Sequence, residues 1–215
     1  MLVSAIGVMI MKVRFQVEQA KWSVMSGKLQ GIPALNTDTT SNSYCKAMAK
    51  KEDTICSVCY SWSMLKTFRK NAVPRFRNNS KFLSSKIHDK EYLPSPPGPV
   101  NRFNGHGEII NKNHLENLLR ICEDNPRMVF SLWTKKDKMV SHYIREREGR
   151  KPNNLILIYS NPYPNTISKL PSGFDKTFNN VTTDSKDINC NEKCKDCMMC
   201  YTINDKTTTI IEKVK

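Results

Sequence analysis

Apolar residues recur along this chain with two different periods. Residues 12–22 alternate, with Val13, Phe15 and Val17 on one side, as in a half-buried edge strand. Met128–Leu132 and Leu155–Tyr159 are short continuous apolar runs, the pattern of strands covered on both faces. Val100–Phe103 reads as a shorter strand closed by Asn104-Gly105-His106-Gly107, and Thr177–Thr182 as a last, weaker one. Between them the spacing becomes helical. Leu115, Leu118, Leu119 and Cys122 share one face of a helix over 113–124, with Asn113 as its N-cap. Positions 60, 64, 65, 68, 72, 76, 82 and 83 predict a helix from Tyr60 to Lys86 interrupted at Pro74, with Arg69, Lys70, Arg75, Arg77 and Lys81 outside. Asp137–Gly149 reads as a polar helix that Gly149 stops. Residues 26–43, rich in Gly, Pro, Asn, Thr and Ser, read as loop, and 94–99 as a stiff connector.

Strand alternating with helix, with unbroken apolar strands, predicts an α/β fold in which helices cover a parallel sheet. The 215 residues are taken as one domain, 1–215, and are short for an eight-fold barrel of about 250 residues. The expected architecture is therefore a partial (truncated) TIM-barrel-like sheet or an open parallel sheet. In such sheets chemistry gathers past the carboxyl ends of the strands. That rule selects His106 and Glu108 after one strand, Thr134 and Lys135 after the next, and Ser160 and Asn161 after the third. Thr182, Thr183 and Asp184 follow the fourth.

Charge and cysteine content add to this picture. Lys plus Arg number 34 against 20 Asp plus Glu, a net charge of +14. A nucleic acid or other polyanion is one partner such a surface suits; a lysine-rich solubilising surface explains the charge as well. Met1–Met11 is apolar but falls short of the about 20 residues a membrane helix needs, so no membrane role is expected. It lacks the basic start of a signal peptide, and Met9 or Met11 as the true start would make 1–11 non-native or a flexible lead.

Seven of the eight cysteines fall into two groups. Cys45, Cys56 and Cys59 form one; Cys190, Cys194, Cys197 and Cys200, at intervals of four, three and three, form the other. Cys122 lies on the apolar face of its helix and reads as core. C-x-x-C pairs turn two thiols toward one ion, and the lysines nearby favour the thiolate, which is the ligand form. A metal site joining the N- and C-terminal segments is expected, in a reducing compartment. Spacing alone suits zinc and iron–sulfur equally.

The chain resembles the phage "gene product 88" family. The likeness is carried by Ser26-Gly-Lys-Leu-Gln-Gly-Ile-Pro-Ala-Leu-Asn36-Thr37, Cys45, Cys56-Ser-Val-Cys59-Tyr60, Gly107-Glu108-Ile109, Ser131-Leu-Trp-Thr134-Lys135, Tyr159-Ser160-Asn161 and Cys194-Lys-Asp-Cys197-Met-Met-Cys200-Tyr201. It runs from about Trp22 to Tyr201. It implies a viral iron–sulfur protein, with a [4Fe–4S] cluster favoured over zinc, working in the cytoplasm of the infected cell. Cys56-Ser-Val-Cys59-Tyr60 is also similar to phage proteins related to radical S-adenosylmethionine enzymes. Cys45 and Cys56, eleven positions apart, depart from the cluster spacing of those enzymes, whereas Cys190, Cys194 and Cys197 have it near the other end of the chain.

Three functions follow as expectations. One is a cluster-dependent enzyme hydrolysing a small ester or thioester, with His106 or Glu108 as general acid or base, Lys135 steadying negative charge, and Thr134, Ser160 and Asn161 holding the ligand. The second is a radical S-adenosylmethionine reaction. The third is a zinc-stapled module for nucleic acid or a host protein, using Arg69, Lys70, Arg75, Arg77 and Lys81 interleaved with Phe68 and Phe76. Substrate and oligomeric state are not written in the sequence.

Overall fold

The computed structural model describes residues 19–214. Six parallel strands form one open sheet in the order β1 to β6: β1 Ala34–Leu35, β2 Val100–Phe103, β3 Val129–Thr134, β4 Leu155–Ser160, β5 Lys176–Val181 and β6 Thr209–Lys213. The expected parallel α/β fold is present, in its open form. The edge strand expected over 12–22 lies mostly outside the described residues.

Helical connections carry the chain between the first four strands. α1 (Ser43–Met48), α2 (Tyr60–Lys66) and α3 (Val73–Ser85) lie between β1 and β2; α4 (Lys112–Asp124) joins β2 to β3, and α5 (Asp137–Glu146) joins β3 to β4. α3, α4 and α5 bring Phe82, Leu83, Leu115, Leu118, Leu119, Val140 and Ile144 to Leu35, Phe103, Phe130, Leu132, Leu155 and Leu157 of the sheet. Cys122 is fully buried there, as its spacing predicts. Each such Leu or Phe contributes ~1.5–3 kcal/mol by leaving water.

The opposite face has a different cover. There Ile156, Ile158, Phe178 and Ile210 meet Ile32, Cys200 and Tyr201, with Val100, Val129, Trp133, Cys190 and Cys194 at the margin. A parallel sheet must be buried on both sides, and here the β5–β6 connection supplies the second layer. It includes one short helical turn, α6 (Cys194–Cys197), which ends at Met198 with φ 55°. Asn189 anchors this segment along the outer edge of β6: its side chain accepts from Ile211 N at 2.9 Å and donates to Thr209 O at 3.0 Å.

Several expected boundaries are corrected. Pro74 does not interrupt a helix; it sits in the first turn of α3, where its missing N–H has no partner to lose, and the break falls earlier, at 67–72. Asn111 rather than Asn113 caps α4, accepting from His114 N at 3.0 Å. The stretch 26–43 holds a strand, β1, two residues long and too short to leave a periodic signal. A sixth strand follows the cysteines, so the cysteine segment is a connection between strands and not a tail beyond the last one.

Candidate metal centre

The four C-terminal cysteines line one small cavity together with Glu192, Met198, Met199 and Tyr201. Short-range geometry puts them there. The α6 turn separates Cys194 from Cys197, the left-handed Met198 turns the chain back, and Asn189 fixes Cys190 against β6. Cys200 is buried and the other three are half-buried. All eight cysteines are free thiols. Burial pushes Cys190 and Cys194 above the usual thiol range and Cys200 up to about 12. The sequence led us to expect thiols made acidic by nearby lysines; here desolvation outweighs the cations, so a metal must release protons as it binds.

Two cations flank this cavity. Lys28 donates to Cys190 Sγ at 3.3 Å and to Cys190 O at 3.0 Å, and it pairs with Glu212. Arg102, in mid-strand on β2, lies with its guanidinium 4.0 Å from the centre of the Trp133 ring. It is 8% exposed, its Nε lacks a hydrogen-bond partner, and no carboxylate pairs with it among the described residues. Arg102 and Cys194 lie within each other's field. Neither cation was singled out from the sequence. The signal available for Arg102 was a charge one residue from Phe103 inside a strand, where alternation turns it to the face away from the helices.

The residues present fit a thiolate-bound metal group: four soft donors share a cavity, and a buried cation beside them has no carboxylate partner among the described residues. Among the described residues no three His, Cys, Asp or Glu side chains already stand as a ligating group. The thiols surround their cavity, and binding requires them to draw together.

Cys45, Cys56 and Cys59 lie elsewhere, over the carboxyl-end rim of the sheet. Asn42 caps α1 by accepting from Tyr44 N and Cys45 N and donates to Glu108 O at 2.9 Å; Ile55 N donates to Pro162 O at 2.8 Å; the Tyr60 hydroxyl donates to Gly105 O at 2.8 Å. These bonds tie the N-terminal cysteine segment to the loops after β2 and β4. One rim therefore carries the trio and the strand-end residues, while the quartet sits on the open face of the sheet.

The strand-end residues do converge, and they are largely occupied with one another. His106 is 3% exposed; its Nδ1 lies 2.8 Å from Ser61 Oγ, which lies 2.6 Å from Thr39 Oγ1. Burial, then Arg69 and Arg102, lower its pKa to about 4. Gly107 has φ +86°, and a Cβ there would stand 2.1 Å from Thr37 Oγ1, so only glycine allows this loop to close on 36–39. Glu108 accepts from Ile109 N and the Thr134 hydroxyl on one oxygen and from Lys135 N on the other. Thr134 Oγ1 also accepts from Lys136 N. Lys135 Nζ donates to Ser160 Oγ at 3.0 Å, and Asn161 is engaged with Thr166, Asn179 and Tyr163 N. Asn36, Thr37, Thr39 and Ser61 complete this network; the sequence places them in loop or helix and marks none of them as a site residue.

The basic stripe is not interleaved with two aromatic rings as expected. Phe76 is 2% exposed in the core while Phe68 is 74% exposed, and Arg77 pairs with the buried Asp38 at 3.0 Å. No helix among the described residues is long and apolar enough to cross a membrane.

A family model described as Gene product 88 matches residues 17–209, and the chain belongs to that phage gene-product family. No curated protein and no solved structure matches it.

Proposed function

We propose that this member of the Gene product 88 family is a metal-binding protein whose Cys190, Cys194, Cys197 and Cys200 hold a [4Fe–4S] cluster. One observation carries the reading: Arg102 is a buried cation with no carboxylate partner among the described residues, next to four thiols that share a cavity. An uncompensated buried charge costs several kcal/mol. Metal-bound thiolates carry net negative charge, and Arg102 and Lys28 are placed to offset it. Iron–sulfur is favoured over zinc by the family resemblance; the compact run of donors at 190–200 suits either metal.

A cluster so held supplies one-electron redox chemistry. Lys28 and Arg102 favour the more negatively charged state of the site, and the Lys28 bond to Cys190 Sγ acts in the same direction. Free thiols throughout the chain suit the reducing cytoplasm of an infected cell. Ester or thioester hydrolysis at the rim and radical S-adenosylmethionine chemistry have less support, since His106 is buried against Ser61 and Glu108 has both oxygens engaged.

The test is iron, sulfide and zinc per chain, with the visible spectrum, on the anaerobically purified full chain and its Cys194→Ser/Cys197→Ser variant. We expect a brown protein with equal iron and sulfide, and loss of the quartet's share in the variant. Zinc without iron would sink the cluster; unchanged metal in the variant would sink the quartet as its site.

A further inference from the structure

We infer that the corner formed by α2 and the turn at 67–72 binds single-stranded nucleic acid, with bases stacking on Tyr60 and Phe68 and phosphates meeting Lys66, Arg69, Lys70 and Arg75. This surface does not depend on the metal.

The charge on this part of the chain is of one sign. Between Thr54 and His88 stand seven Lys or Arg and no Asp or Glu, so 35 residues carry half of the net charge of +14. Among the described residues only Arg77 of the seven pairs with a carboxylate, the buried Asp38; Lys66, Arg69, Lys70, Arg75, Lys81 and Lys86 do not. Around α4 and α5 the cations are treated differently: Lys112 pairs with Glu146, and Arg120 and Arg147 both pair with Glu116. A surface that only confers solubility intersperses the two signs. A segment with one sign and unpaired heads holds a field that attracts a polyanion.

The same segment exposes two aromatic rings. Phe68 is 74% exposed and Tyr60 59%. The Tyr60 hydroxyl donates to Gly105 O at 2.8 Å, which fixes the ring while more than half of the residue faces solvent. Phe68 sits where the chain closes back on itself, Arg69 N donating to Met64 O at 2.9 Å. Arg69 Nη2 also donates to Ser26 Oγ and ties the corner to the segment before β1. A third ring, Trp62, lies half-buried with Lys66 Nζ 5.1 Å from its centre. Rings held beside unpaired cations are a platform for unstacked bases, because every base has a π face to offer. A duplex keeps those faces inside its stack. α2 is seven residues long and turns Leu65 to the core, so it presents no continuous apolar face to a bilayer.

The experiment follows the anisotropy of a fluorescein-labelled oligothymidylate of about 20 nucleotides as the anaerobically purified full chain is added, at salt from about 50 to about 200 mM. With about four phosphate contacts, log affinity should fall against log salt with a slope of about −2.8, a loss of about 50-fold over that range. Lys66→Gln/Lys70→Gln/Arg75→Gln should flatten the slope by about 2. Phe68→Ala should weaken binding about tenfold and leave the slope unchanged. Lys138→Gln/Lys169→Gln/Lys206→Gln, which removes the same charge from exposed positions elsewhere, should leave the slope as it is. Iron content should stay at the wild-type value in every variant, so this proposal and the cluster reading fail separately. No binding at about 50 mM salt, equal effects of the two triple variants, or wild-type affinity in Phe68→Ala would overturn the proposal. A duplex of the same length bound as tightly would overturn the single-strand assignment. Binding to vesicles of about one-third phosphatidylserine, with none to the oligonucleotide, would assign the surface to a membrane instead.

Discussion

The two faces of the sheet are closed by different means. On the helical face Phe103, Phe130, Leu132, Leu155 and Leu157 pack under α3, α4 and α5, and apolar burial is enough to hold them. On the other face Ile156, Ile158, Phe178 and Ile210 share the surface with Arg102, Lys176 and Glu212, and the cover is a cysteine-bearing connection with a single helical turn. Lys176, with only 3% of its side chain exposed, is neutralised by Asp205 at 3.1 Å, and Glu212 by Lys28; Arg102 has no such partner among the described residues. One face is therefore complete as folded. On the other, Arg102 lies beside four thiols that the proposed metal would hold as thiolates.

Removing the metal should separate the two faces most strongly. Thiolate-bound metal contributes on the order of 10 kcal/mol to small domains. Chelation should thus raise hydrogen exchange over 189–201 and β6 by ~100-fold or more while α4 and β3 keep their protection. Uniform exchange across the sheet would erase the distinction. The reverse lesion is Leu119→Ala, which should cost ~2–5 kcal/mol in urea unfolding and leave iron content unchanged. Loss of metal in that variant would mean the faces are coupled.

Acid provides the smallest and most selective effect. His114 on α4 is buried, its Nδ1 accepts from Ile110 N at 3.1 Å, and burial, then Lys136, lower its pKa to about 3. His106, which packs against Phe76 of α3, is held at about 4. Both bind a proton more readily unfolded, near pH 6.5, so their stability is full above that value and falls as pH drops toward 4 and 3. At pH 5.5 the loss is ~1.4 kcal/mol for each, measured in the metal-free chain. His106→Gln should remove one of the two contributions, and an unaltered pH profile would show that His106 is charged in the fold.

The sequence was clearest where one physical rule acted alone. β3 and β4 are apolar runs and α4 a regular stripe, so burial on the helical face was readable residue by residue. β1 and β6 were not: one has two residues, and the other is a five-residue edge strand with a single apolar pair, Ile210 and Ile211. The cysteine spacings gave the membership of each group but not their separation, because C-x-x-C fixes neighbours within a turn and says nothing of which layer that turn joins. Arg102 escaped notice because a charge in a strand has meaning only once the opposite face is known to be covered.

The position of the quartet within the chain also bears on how the protein is made. Residues 190–201 emerge from the ribosome after every strand they cover except β6, at about 5–20 residues per second. Under the proposed cluster reading, iron delivered to these thiols would reach a platform most of whose wall is already synthesised. Cys45, Cys56 and Cys59 emerge after β1 but before β2 to β6 exist. Their thiols are open to oxidation for longest, so a shortage of reductant during translation should damage them before the quartet.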